Sequence, residues 1–188
     1  MSLLTEKLPD SIIINDNKFP IKTDFRHWIK VTQIMMGQSS DIQKIADICS
    51  EVFCELPKAS VKLVLNAVMD FYSPPRKVNL SGTDSKPKRQ YDFEYDAELI
   101  YAAFLQQYGI DLTSTNMHWW KFKALFNTLD ETTQFVKVIG YRSINLSEIK
   151  NKEQKKHYGK MKHIYRLPDS RTEEEKEEDM NNMIAKMF

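Results

Sequence analysis

Between residues 23 and 72 the apolar side chains return every three or four positions in three successive stretches, the first two opened by a capping residue and all three closed by a breaker. That spacing places them along one side of an α-helix. In the first stretch Thr23 caps a stripe of Phe25, Trp28, Ile29, Thr32, Met35 and Met36, and Gly37 ends it. In the second, Ser40 or Asp41 caps Ile42, Ile45, Ala46, Cys49, Val52, Phe53 and Leu56, and Pro57 stops it. The third runs from about residue 59 to 72 along Val61, Val64, Leu65, Val68, Phe71 and Tyr72, before Pro74 and Pro75. The period resumes with a helix from about residue 96, carrying Ile100, Tyr101, Phe104 and Tyr108 ahead of Gly109. A tryptophan-bearing helix closing near Asp130, a short one ended by Gly140 and a basic one stopped by Pro168 follow. Gly37, Gly109 and Gly140 each fall just past a predicted end, where glycine permits a left-handed cap. The expectation is a mainly α protein: a bundle-like domain of six to eight helices.

The exception is "SIIINDNKFPIKTD". Ile12 and Ile14 alternate on one arm and Phe19 and Ile21 on the other, with Asp16-Asn17 as the turn and Pro20 restricting its strand to an edge. A short β-hairpin is predicted, and since a lone hairpin is barely stable in water it must pack on the helices. The chain thus divides into a hairpin arm (1–22), a helical domain (23–167) and an acidic tail (168–188). Residues 73–90, with three prolines, one glycine and no helical stripe, form a flexible loop within the helical domain.

Chemistry is sparse. No GxxxxGK[ST], GxGxxG, GxSxG, HExxH or CxxC pattern occurs. His27, His118, His157 and His163 show no zinc-ligand spacing. The tail carboxylates lack apolar surroundings that would raise a pKa for acid–base work. No catalysis, cofactor or metal is expected. Cys49 and Cys54 point to different faces of a helix, which argues against a bridge and for a reduced compartment. No apolar run approaches the roughly 18 residues of a membrane span, and "MSLLTEKLPD" lacks the features of a signal peptide.

A net charge of +1 conceals a segregated distribution. Residues 150–166 hold seven basic side chains and one acid, Glu153, whereas residues 169–188 hold seven acids and three bases. The two segments can pair internally, which disfavours nucleic acid as a partner. The basic segment, with Tyr158 and Tyr165 among its lysines, is still the best nucleic-acid candidate. The plainer reading is an amphipathic helix with its lysines in water.

Residues 116–129, "NMHWWKFKALFNTL", are unusually aromatic. On a helix Trp119 and Trp120 diverge by about 100°. Trp119 shares a face with Phe122, Phe126 and Leu129 and is expected to anchor the core. Trp120, flanked by Lys121, Lys123 and Ala124, is expected nearer a partner-facing edge.

The blocks "FEYDAELIYAAFLQQYGIDL", "MHWWKFKALFNTL" and "IGYRSINLSEIKNKEQKKHYGKMKHIYRLPD", with "INDNKFPIKTDFRHWIK" before them, resemble the bacteriophage gene-product-fifteen-type family. The paired tryptophans and the step at Gly140, Tyr141 and Arg142 are its most specific marks. The resemblance implies a non-enzymatic tail assembly chaperone of long-tailed phages that binds the tape measure protein. It also implies self-association in several copies, contact with tail tube subunits, and a place in the host cytoplasm but not in the finished virion. Trp120, Tyr141 and Arg142 are the expected partner-binding residues. The alternatives are a structural tail or connector component and a nucleic-acid-binding accessory protein.

Overall fold

The computed structural model describes residues 4–73 and 90–168. The tail and the interior of the expected loop, residues 74–89, lie outside it, and with them the expectation of mobility there. The described residues form a hairpin, β1 (Ser11–Ile14) and β2 (Asn17–Pro20), and seven helices. These are α1 (Phe25–Met36), α2 (Asp41–Val52), α3 (Val61–Tyr72), α4 (Ala97–Tyr108), α5 (Trp119–Phe126), α6 (Gln134–Ser143) and α7 (Lys152–Ile164). The fold is mainly α with one N-terminal hairpin, as the periodicity and caps predicted.

β1 and β2 pair antiparallel with Ile14 opposite Asn17 and Ser11 opposite Pro20. The turn is Asn15-Asp16, at φ 49° and 60°, one residue earlier than the sequence reading placed it. Two consecutive positive φ values twist the turn to match the strands, and Asn and Asp tolerate them best. The register sends Ile12 and Ile14 inward, where with Ile21 they join the same hydrophobic core as the helices, β1 lying against α3. Ile13 faces outward and is 68% exposed. Below the hairpin Ile21 bridges to Phe53, and the Lys22 amide donates to the Val52 carbonyl at 2.9 Å, which fastens the hairpin to the end of α2.

The caps refine the predicted boundaries. Asp24, not Thr23, caps α1, accepting from the Arg26 amide at 3.0 Å. Ser40 caps α2 through the Gln43 amide. α2 ends at Val52, well before Pro57, and its inward side is Ile48 and Val52, while Ile42 and Leu56 are exposed. Gly109 alone of the three expected glycine caps is left-handed, at φ 65°. Gly37 is extended, and Gly140 lies inside α6.

An aromatic spine runs through the core. Phe25 stacks on Phe122 with centroids 4.7 Å apart, Phe122 on Phe104 at 5.1 Å and on Trp119 at 5.8 Å, and Trp119 on Trp28 at 6.3 Å. Stacked rings of this kind add about 0.5–1.5 kcal/mol per pair beyond the area they bury. The starts of α1 and α5 are laced by the Phe25 amide donating to the Met117 carbonyl and the Trp119 amide to the Thr23 carbonyl. No helix among the described residues is long and apolar enough to cross a membrane.

Candidate functional site

The density of tryptophan at the start of α5 has a specific structural use. A helix leaves its last carbonyls without intrahelical donors, and α3 ends at Tyr72. The Trp120 indole Nε1 donates to the Phe71 carbonyl at 2.8 Å, the Trp119 Nε1 to the Tyr72 carbonyl at 3.0 Å, and the Lys123 ammonium to that same carbonyl at 2.8 Å. Adjacent indoles therefore satisfy adjacent carbonyls. Lys123 also places positive charge at the negative end of the α3 dipole and lies over the Tyr72 ring at 5.0 Å. Trp119 is buried as expected. Trp120 is half-buried, its ring tilted against Phe71 at 5.3 Å, so part of it faces solvent at the seam of α3 and α5.

His118 orders this seam. Its Nδ1 accepts from the Trp120 amide at 3.0 Å and its Nε2 donates to the Pro9 carbonyl at 2.9 Å, which fixes a neutral tautomer. Burial lowers its pKa and Lys121 adds to that, against the opposing hydrogen bond to Pro9.

Tyr141 and Arg142 lie elsewhere, on α6. Tyr141 stacks on Tyr165 at 5.8 Å and meets Tyr158 at 6.2 Å, joining α6 to α7. The Arg142 side chain is only 6% exposed, and its guanidinium grips the Asp96 carboxylate at 2.6 and 2.8 Å. Its remaining donors go to the carbonyls of Gln90 at 3.0 Å and Tyr165 at 2.6 Å. Arg142 thus ties α6 to the start of α4 and the end of α7, and a direct role with a partner would require this clamp to open. The three expected partner-binding residues do not converge: Trp120 sits on the α3–α5 seam, and Tyr141 and Arg142 on the α6–α7 side.

The sequence reading missed Asp96, which lies 46 positions from its partner Arg142. It also missed the cap made by Asp24, which a closer reading of an Asp before an apolar helix start would have found. Near the end of α1, Thr32, Gln33, Met36 and Gly37 on one side and Tyr91, Asp92, Phe93 and Glu94 on the other line a cavity of about 170 Å³ with mixed polar and apolar walls. Met36 is 51% exposed at its rim, and Ile42, just across the α1–α2 connection, is 82% exposed. A shallow polar depression involves Asp24, Arg26, His27 and Lys30. His27 and Lys30 meet Glu51 there at 2.8 and 3.1 Å. Burial works against ionisation of Glu51, but those two bonds outweigh it and lower its pKa. Among the described residues no group of three or more His, Cys, Asp or Glu side chains is placed to hold a metal ion.

The family model described as Bacteriophage Gp15 protein matches residues 4–167. No curated protein and no solved structure matches the chain significantly.

Proposed function

The chain belongs to the Bacteriophage Gp15 protein family, and from that premise we propose that it is a non-catalytic tail assembly chaperone that binds the phage tape measure protein in the host cytoplasm. The observation that carries the reading is the open corner at the α1–α2 connection, where Met36, Tyr91 and Phe93 set apolar surface beside the polar Thr32, Gln33, Asp92 and Glu94. There a cavity of about 170 Å³ sits beside a half-exposed methionine. Its size suits one large apolar side chain, and methionine adapts its shape to whatever enters. A long helical partner with apolar residues at intervals is the kind of ligand such a corner accepts, one anchor at a time. The half-buried Trp120 offers a second apolar contact of the type that dominates interface energetics.

Co-expression with the tape measure protein, followed by pulldown of the tagged chain, tests this. Met36→Glu, at an exposed position, should leave the thermal midpoint within a few degrees and reduce capture at least tenfold. Unchanged capture by Met36→Glu would remove the corner from the interface. Failure of the parent to capture the tape measure protein, with the chain present in purified virions, would replace the chaperone reading by that of a structural tail component.

A further inference from the structure

The corner at the end of α1 has two unlike sides. Met36 and Ile42, both exposed, continue apolar surface away from it on one side. On the other, residues 91–94 bring the rings of Tyr91 and Phe93 into its wall together with Asp92 and Glu94. The two acids have different uses. Asp92 Oδ1 accepts from the Glu94 and Tyr95 amides at 2.7 Å each, and so shapes the turn that leads into α4. The Glu94 side chain is exposed and takes part in no ion pair or side-chain hydrogen bond among the described residues. No lysine or arginine among the described residues lines the cavity. Lys30, earlier on α1, is held by Glu51 at 3.1 Å, and Arg142 by Asp96 at 2.6 Å, so neither neutralises Glu94.

We propose that this corner takes an amphipathic helix carrying a lysine or arginine one turn from its apolar anchor. The anchor enters the cavity against Met36, Tyr91 and Phe93, and the cation meets Glu94. Side chains four apart on a helix share a face with Cβ atoms about 5–6 Å apart, which matches an anchor in the cavity and a charge at its rim. A basic side chain also lays its apolar stem on a ring while its charge stays in water. The asymmetry sets a direction: the apolar stripe of the partner continues toward Ile42, and its cation falls on the α4 side. A helix with an acid at that position meets like charge and is rejected. The preference is local, since the chain as a whole carries a net charge of +1 and does not attract cations. The inference rests on the docking role proposed above for this corner and names what its partner must carry.

The test uses the full chain and two labelled peptides of about 20 residues, alanine-rich so that they are helical in water. Both carry the same leucine anchors; one has lysine four residues after the central leucine and the other glutamate. Affinities are read by fluorescence anisotropy. An exposed ion pair changes affinity about two- to fivefold and like charges oppose by a similar factor, so the parent should prefer the lysine peptide about four- to twentyfold at low salt. The preference should fade at 1 M salt, where screening acts within about 3 Å. Glu94→Lys, at a side chain without bonds to lose, should keep the helical circular dichroism and reverse the preference. Replacing the central leucine by alanine should remove binding to the parent. Equal affinity for the two peptides, no binding of either, or a preference that Glu94→Lys leaves unchanged would each overturn the inference. The peptides stand apart from the tape measure protein, so the two readings fail separately. Selectivity that follows Glu94 without capture of the tape measure protein sinks only the chaperone role, and capture that persists without the selectivity sinks only this inference.

Discussion

Arg142→Ala is the most searching perturbation of the fold. The guanidinium provides two of the bonds to a carboxylate that is 1% exposed; the third comes from the Asp92 amide at 3.0 Å. Truncation leaves a buried carboxylate with one donor and withdraws donors from the Gln90 and Tyr165 carbonyls. Removing one member of a buried pair costs about 3–5 kcal/mol because the other charge stays desolvated. In a domain of this size each kcal/mol moves the midpoint by about 2–4 °C, so the melting temperature should fall by about 6–20 °C. Arg142→Lys should recover only part, since one ammonium cannot reproduce the bidentate grip and the two carbonyl bonds. Thermal unfolding by circular dichroism of Arg142→Ala, Asp96→Ala and the double variant closes the cycle. The double variant should cost clearly less than the sum of the singles. A shift below about 2 °C for Arg142→Ala, or strict additivity in the cycle, would refute the reasoning.

Three further outcomes are expected. Trp119→Ala should lose about 3–5 kcal/mol or fail to accumulate in soluble form, whereas Trp120→Phe, which keeps a ring but drops the bond to Phe71, should lose about 1 kcal/mol in urea unfolding. His118 titrates with a lowered folded pKa. Its contribution to stability is therefore intact above the unfolded histidine pKa of about 6.5 and is lost as pH falls below that value through the folded one. His118→Asn, which keeps an acceptor for the Trp120 amide, should flatten that part of the stability–pH profile. Gly109→Ala should destabilise by about 1 kcal/mol because the φ there is 65°. Gly140→Ala should stabilise by about 0.5–1 kcal/mol, since an added Cβ meets nothing within 4 Å inside α6.

Much of the fold was legible because its signals are local. The stripe of α3 and the Gly109 cap need only the residues within a turn or two. The hairpin was legible in kind, yet its turn was placed one residue late, because Asn-Asp-Asn supplies two adjacent pairs that both tolerate positive φ. What decides between them is the packing of Ile12 and Ile14 into the core. α2 misled for a related reason. Ile42 and Leu56 fit the period, but the helix stops at Val52 and turns Ile48 inward. The candidate site was less legible still. Adjacent tryptophans announce a wide apolar arc, but the carbonyls they cap are 47 and 49 positions away. Arg142 carries no local mark of its buried partner, since only the folded chain brings α6 against the start of α4.

The chain's three tryptophans all gather where α3 ends. Trp28 lies 4.6 Å from the Phe71 ring and 6.3 Å from Trp119, and Trp120 lies 5.3 Å from Phe71. Intrinsic fluorescence is therefore a local instrument in this protein, sensitive to the junction of α1, α3 and α5 and nearly blind to α7, which buries no residue. Far-ultraviolet ellipticity counts every helix alike. Non-coincident midpoints by the two methods, ordinarily evidence against an all-or-none transition, would here locate early fraying at α7 while the tryptophan junction stayed closed.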